Sequence, residues 1–179
     1  MTKIAAVLFA GQIAAASIRS SPRATQTCYA SETKALLCYT APDNTPQDIT
    51  VADVTYVAAY LRSYGKQTKA GRLFTMNAAD TPDCAEWSLY TRDTVTAIAK
   101  HVSASANSSV LFEDIANTID GGASATDPQK KAAIIGCLSD GGSLGVVYNA
   151  TNPAYNAATY KAAGYVPDGI IIKIVNSGA

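Results

Sequence analysis

His101 is the single imidazole of the chain, and a hydrolase built on it needs a nucleophile and an orienting acid within hydrogen-bond reach. No G-x-S-x-G turn or comparable signature accompanies it. Its place at the end of an expected strand fits a solvated or hydrogen-bonded side chain better than a catalytic base. Glycoside hydrolysis needs no histidine and runs on two carboxyl groups, so the acids are the next place to look. Glu86 stands beside Trp87, the acid-plus-aromatic pairing of many sugar sites, and Glu113 is the second acid that a small wall-carbohydrate hydrolase would use. Glu113 and Asp114 are adjacent and point apart on a helix. A tryptophan on a strand is by default a core residue, so no catalytic residue is assigned.

Cofactor chemistry finds no foothold. D-G-G-S-L-G at 140–145 has the wrong spacing for a Walker or a dinucleotide loop. No histidine lies near an expected cleavage point, which disfavours an oxidative copper site at an amino-terminal histidine. Cys28, Cys38, Cys84 and Cys137 lack the close pairs with histidines that zinc requires. An even cysteine count in an exported chain reads instead as two disulfides, with three possible pairings. The expected pairs are Cys28 with Cys38, closing a local loop, and Cys84 with Cys137.

The residues best suited to binding are aromatic. In TVADVTYVAAYLRSY at 50–64, Val54, Val57, Ala58 and Leu61 fall at helical spacing, with Thr50 as amino cap and Gly65 as stop. Tyr56, Tyr60 and Tyr64 recur at every fourth residue and therefore lie along one flank of that helix. Such a stripe, with Trp87, forms a possible binding surface; the plainer alternative is a rim of core side chains with hydroxyls in water.

Elements must position these residues. Strands are expected at 72–77 and 86–91, with 94–102 as the second arm of a hairpin and a helix there as the alternative. A helix is expected over 110–120, ended by Gly121-Gly122, and another from Thr126 through QKKAAIIGCL. Then come a strand in SLGVVYNA, a short helix in PAYNAATYKAAG and a last strand in GIIIKIVN. The expected class is α+β, a two-layer sandwich with helices on one face of a mainly antiparallel sheet.

Residues 1–16 place Lys3 before an apolar run ending in Ala14, Ala15 and Ala16, the form of a secretory signal peptide. The run is shorter than the roughly 20 residues of a spanning helix. Residues 17–26 read as a polar amino-terminal segment or propeptide, and 27–179 as a single globular domain. The chain has 14 basic and 14 acidic side chains; loss of residues 1–23 removes Lys3, Arg19 and Arg23, leaving net −3. That balance argues against nucleic acid and anionic lipid as partners, and no stable membrane insertion is expected. Asn107-Ser108-Ser109 and Asn149-Ala150-Thr151 are glycosylation sequons, both expected in surface loops.

The stretches C-A-E-W-S-L-Y at 84–90, N-S-S-V-L-F-E-D-I-A-N-T-I-D-G-G at 107–122, I-I-G-C-L-S-D-G-G-S-L-G-V at 134–146 and G-Y-V-P-D-G-I-I-I-K-I-V at 164–175 together resemble a group of small secreted proteins of filamentous fungi. A fainter likeness is to the killer-toxin and necrosis-effector class, on Cys84, Asp114-Ile115 and Cys137. The resemblance implies an extracellular fungal protein without an established enzymatic activity. The expected function is therefore binding: an effector-like, virulence-associated or wall-associated secreted glycoprotein whose partner is an extracellular protein or a cell-wall polysaccharide.

Overall fold

The computed structural model describes residues 32–81, 85–103 and 105–178. The expected signal peptide, the polar segment after it, Cys28 and Cys84 lie outside the described residues. In chain order the elements are β1 (Leu37–Cys38), α1 (Val51–Gly65), β2 (Leu73–Met76), β3 (Glu86–Arg92), β4 (Val95–His101), β5 (Asn107–Leu111) and α2 (Phe112–Asp120). There follow α3 (Asp127–Lys131), a 3-10 segment (Ile134–Asp140), β6 (Gly142–Gly145), α4 (Pro153–Asn156), α5 (Ala158–Ala162), β7 (Tyr165–Val166) and β8 (Ile170–Asn176).

Five strands form an antiparallel sheet in the order β1-β6-β8-β4-β3. The class is α+β, as expected, but β2, β5 and β7 make a second, three-stranded sheet with β5 in the middle and a parallel β5/β7 pair. One face of the larger sheet carries Val95, Ala97 and Ala99 of β4 and Ile170, Ile172 and Ile174 of β8. These residues share a buried apolar cluster with Val54, Val57, Ala58 and Leu61 of α1 and Ile115, Ala116 and Ile119 of α2. The alternation in β4 is a period-two pattern, whereas β8 buries Ile170, Ile171 and Ile172 in succession.

Helix α1 starts where Thr50 supplies its cap. The Thr50 hydroxyl accepts from the Asp53 N–H at 3.2 Å and donates to the Asp53 carboxylate at 2.7 Å. The same carboxylate accepts from the N–H and hydroxyl of Thr94, at 3.3 and 2.7 Å, and so anchors the helix start to the β3–β4 turn. At the other side, Arg62 of α1 donates to Asp120 at 2.6 Å and to Asn117 at 3.1 Å on α2.

Four expectations are corrected. Cys38 is bonded to Cys137 across a sequence separation of 99, so neither Cys28 with Cys38 nor Cys84 with Cys137 forms. The bridge follows from sheet order: β1 pairs with β6, and Cys38 lies opposite Gly142, where an added Cβ would meet the Leu37 carbonyl at 2.5 Å and the Cys137 sulfur at 2.9 Å. The stretch at 107–109 is no surface loop but the start of β5, and the expected helix over 110–120 begins only at Phe112. The expected helix from Thr126 is a short α3 followed by the 3-10 segment. Gly136 approaches the Lys131 carbonyl so closely that an added Cβ would lie 2.6 Å from its oxygen.

Candidate binding surface

An odd spacing in β3 decides which side chains meet. Trp87 and Tyr90 are three residues apart, and in a regular strand they would occupy opposite faces. Ser88 pairs with Ile98, however, and Tyr90 with the next residue, Ala97, leaving Leu89 as an extra residue in a bulge. Trp87 opposite Ala99, Tyr90 opposite Ala97 and Arg92 opposite Val95 thus share the face that α1 packs on.

Tyr90 enters the tyrosine stripe of α1. Its ring stacks on Tyr60 with centroids 3.8 Å apart and planes 15° apart, and lies 6.5 Å from Tyr56. Tyr60 runs parallel to Tyr64 at 6.5 Å, with planes 8° apart. The row is capped at both ends by guanidinium groups: Arg92 sits 4.7 Å over Tyr56 and Arg72 sits 4.1 Å over Tyr64. Arg72 also donates to the Tyr64 hydroxyl at 2.8 Å. From Tyr64 the aromatic contacts continue edge to face through Phe112 and Phe74 to Trp87. Tyr56 is 47% exposed, Tyr60 40% and Trp87 40%. Burial, followed by the neighbouring Tyr56 and Tyr60 rings, raises the Tyr90 hydroxyl pKa above its ordinary value.

No family model, curated protein or solved structure matches the chain. The surface is therefore read on its own chemistry. Sugars bind aromatic side chains through exposed ring faces. Here one face of Tyr60 is covered by Tyr90, and guanidiniums lie over Tyr56 and Tyr64. The row offers ring edges, phenol hydroxyls and two cations, a mixture typical of the anchors at protein interfaces.

The other candidates lie elsewhere. His101 is fully buried; its Nδ1 contacts the Thr81 carbonyl at 2.5 Å and its Nε2 the Ser108 hydroxyl at 3.1 Å. This resembles a serine–histidine dyad in connectivity, but Ser108 is fully buried, and Gly169 packs so tightly on it that an added Cβ would lie 2.5 Å from the hydroxyl oxygen. The pair serves to satisfy polar groups inside the fold. Glu86 projects from the opposite face of the large sheet, where Lys173 lies 2.9 Å from it and 3.2 Å from Glu32, and Lys100 lies 2.8 Å from Glu32. Burial works to lower the Lys173 pKa, but the hydrogen bond to Glu86, with Tyr39 and the carboxylates, outweighs it and the pKa is raised. Glu113 opens α2 and pairs with Lys66 at 3.3 Å. The two acids considered for hydrolysis are thus bound to different lysines, and Glu86 and Trp87 face opposite sides of one strand.

Asn149 is exposed, and its Oδ1 accepts from the Thr151 hydroxyl at 2.7 Å and N–H at 3.1 Å. Asn107 is half-buried, and its Oδ1 accepts from the Ala78 N–H at 3.0 Å. Sequence reading found Tyr56, Tyr60, Tyr64 and Trp87 but missed Tyr90, Arg92 and Arg72. Tyr90 stands in the strand expected at 86–91 and Arg72 opens the one expected at 72–77, whereas Arg92 lies one residue beyond; no sequence signal marks the bulge that sets Tyr90 and Arg92 on the helix-covered face. Among the described residues no group of His, Cys, Asp and Glu could hold a metal ion, and no helix is long and apolar enough to cross a membrane.

Proposed function

We propose that this chain is a non-enzymatic secreted protein that acts by binding an extracellular protein through the arginine-capped tyrosine row of α1 and β3. The observation that carries the reading is the row itself: partly exposed tyrosines and a tryptophan stand at a sheet edge with ring faces engaged by neighbouring rings and guanidiniums and with Tyr56, Tyr60 and Trp87 still reaching the surface. Rigid Tyr, Trp and Arg side chains give large contact area at low entropic loss. Export is supported by the signal-like residues 1–16, by a disulfide and by an exposed sequon at Asn149. An effector-like role in a filamentous fungus follows from the resemblance in residues 84–90, 107–122, 134–146 and 164–175.

The test places a photoactivatable phenylalanine at position 60 of the secreted protein and irradiates it on intact plant, animal and fungal cells. A discrete protein adduct that disappears with Arg92→Gln is the expected result. In parallel, bound and free protein are quantified on insoluble chitin, β-glucan and cellulose. Retention that Tyr60→Ser abolishes would overturn the protein-partner reading in favour of a wall polysaccharide. Release of reducing sugars that stops with Glu86→Gln would overturn the non-enzymatic reading altogether.

A further inference from the structure

Beyond the tyrosine row the same edge continues into a basic cleft. The chain leaving α1 turns back through residues 66–71 and is closed by the Arg72 N–H donating to the Gly65 carbonyl at 2.9 Å. The turn is tight because Gly71 has φ +83 and an added Cβ would lie 2.8 Å from a Leu111 methyl. Between this turn and the start of α4 lies a cleft of about 470 Å³, with Lys66, Lys69 and Arg72 on one wall, Glu113 beside them and Asn152 and Pro153 opposite.

The charge balance of the cleft is uneven. Its one carboxylate, Glu113, is taken by Lys66, and among the described residues neither Lys69 nor Arg72 meets an acid. Arg72 spends its terminal nitrogens on neutral oxygens, those of Tyr64 and Gln67. The amides of Thr68, Lys69 and Ala70, all in the cleft wall, donate to no described backbone carbonyl. Successive free amides with two uncompensated cations make the surroundings an oxyanion requires. The excess is local, since the chain as a whole carries equal numbers of basic and acidic side chains.

We propose that this cleft is an anion-binding site that takes one acidic group, a carboxylate or a sulfate, of the protein seated on the tyrosine row. The inference rests on the proposed binding surface for the ligand's identity, but the site stands on its own geometry. Arg72 joins the two, because one guanidinium caps Tyr64 and lines the cleft.

The experiment is an amide NMR titration of the full chain with sodium sulfate, sodium acetate and a tetraglutamate peptide at constant ionic strength. Saturable shifts confined to residues 65–72, 111–113 and 152–157 are expected, weakened about tenfold by Lys69→Gln, the loss of one charge-assisted contact. Lys130→Gln, on α3, should change nothing. Sulfate binding without acetate or peptide binding would identify a sulfated partner, and the reverse an acidic side chain. Shifts that do not saturate, or that persist unchanged in Lys69→Gln, would overturn the site. Arg92→Gln, outside the cleft, distinguishes the two readings: it should abolish the cell-surface adduct while leaving the sulfate titration intact.

Discussion

The rings of Tyr60 and Tyr90 lie face to face, 3.8 Å between centroids, although one stands on a helix and the other on a strand thirty residues later. That contact exists because the bulge at Leu89 turns Tyr90 onto the helix-covered face. Removing Leu89 should restore regular alternation and keep Tyr90 opposite Ala97 on the face of Trp87, so the Tyr60–Tyr90 stack should survive, whereas pairing Leu89 with Ala97 would send Tyr90 to the other face. Tyr90→Ala should lower stability through loss of the stacked ring contact, read from urea unfolding. In Tyr60→Ala the Tyr90 hydroxyl should titrate at lower pH than in the parent, because a neighbour that raises its pKa is gone. An unchanged phenol titration would mean that the rings do not stack in solution.

Joining Cys38 to Cys137 spans 99 positions, and on the chain-entropy account such a loop contributes about 4–5 kcal/mol. Cys38→Ser and Cys137→Ser should each lower stability by that order, and the double variant should add nothing further. Peptide mapping of oxidised protein should recover a linked Cys38–Cys137 peptide. A Cys28–Cys38 peptide would refute this pairing.

Two carboxyl groups bend the pH dependence of stability in opposite directions. Burial raises the Asp114 pKa despite the hydroxyl of Tyr155, which donates to it at 2.5 Å. An acid whose pKa is raised on folding contributes stability below its unfolded pKa, about 3.9, and loses that contribution as pH rises through the folded value. Asp53 is the reverse: the hydroxyls of Thr50 and Thr94 lower its pKa, so its contribution is present above the unfolded value and lost as pH falls through the folded one. Asp53→Asn should therefore flatten the acid limb of stability measured from pH 2 to 7, and Asp114→Asn should remove a decline above about pH 4. Parallel curves for parent and variants would contradict both assignments.

Glycan occupancy should differ between the two sequons. Asn107 begins β5, the central strand of its sheet, with its carbonyl engaged by Ala78, whereas Asn149 is exposed in a turn closed by Thr151. In protein secreted from a eukaryotic host, Asn149→Gln should remove one glycosidase-sensitive mass step and Asn107→Gln none. The opposite result would show that modification precedes and overrides the folded geometry.

Much of the helix and strand pattern is legible without coordinates because it depends on neighbours in sequence. Thr50 followed by Val54, Val57, Ala58 and Leu61 specifies α1, and it sets Tyr56, Tyr60 and Tyr64 on one flank through the helical period alone. The β-branched alternation of β4 and the β-branched run of β8 mark both as strands in the same local way. What remained hidden rests on partners far along the chain. Ser108 and Ser109 read as loop residues, yet they are buried in β5 because His101 and Thr75 satisfy their hydroxyls. Four cysteines leave three pairings open until β1 docks beside β6. Whether Trp87, Tyr90 and Arg92 share a face is set by a one-residue slip against β4, and residue type does not encode that slip. Sequence alone thus determined the tyrosine stripe, a product of local periodicity; the tertiary structure decided that Tyr90 completes it and that Arg72 and Arg92 close its ends, because Tyr90 and Arg92 depend on the bulged β3–β4 register and on how β3 packs against α1, and Arg72 on the turn that folds back to Gly65.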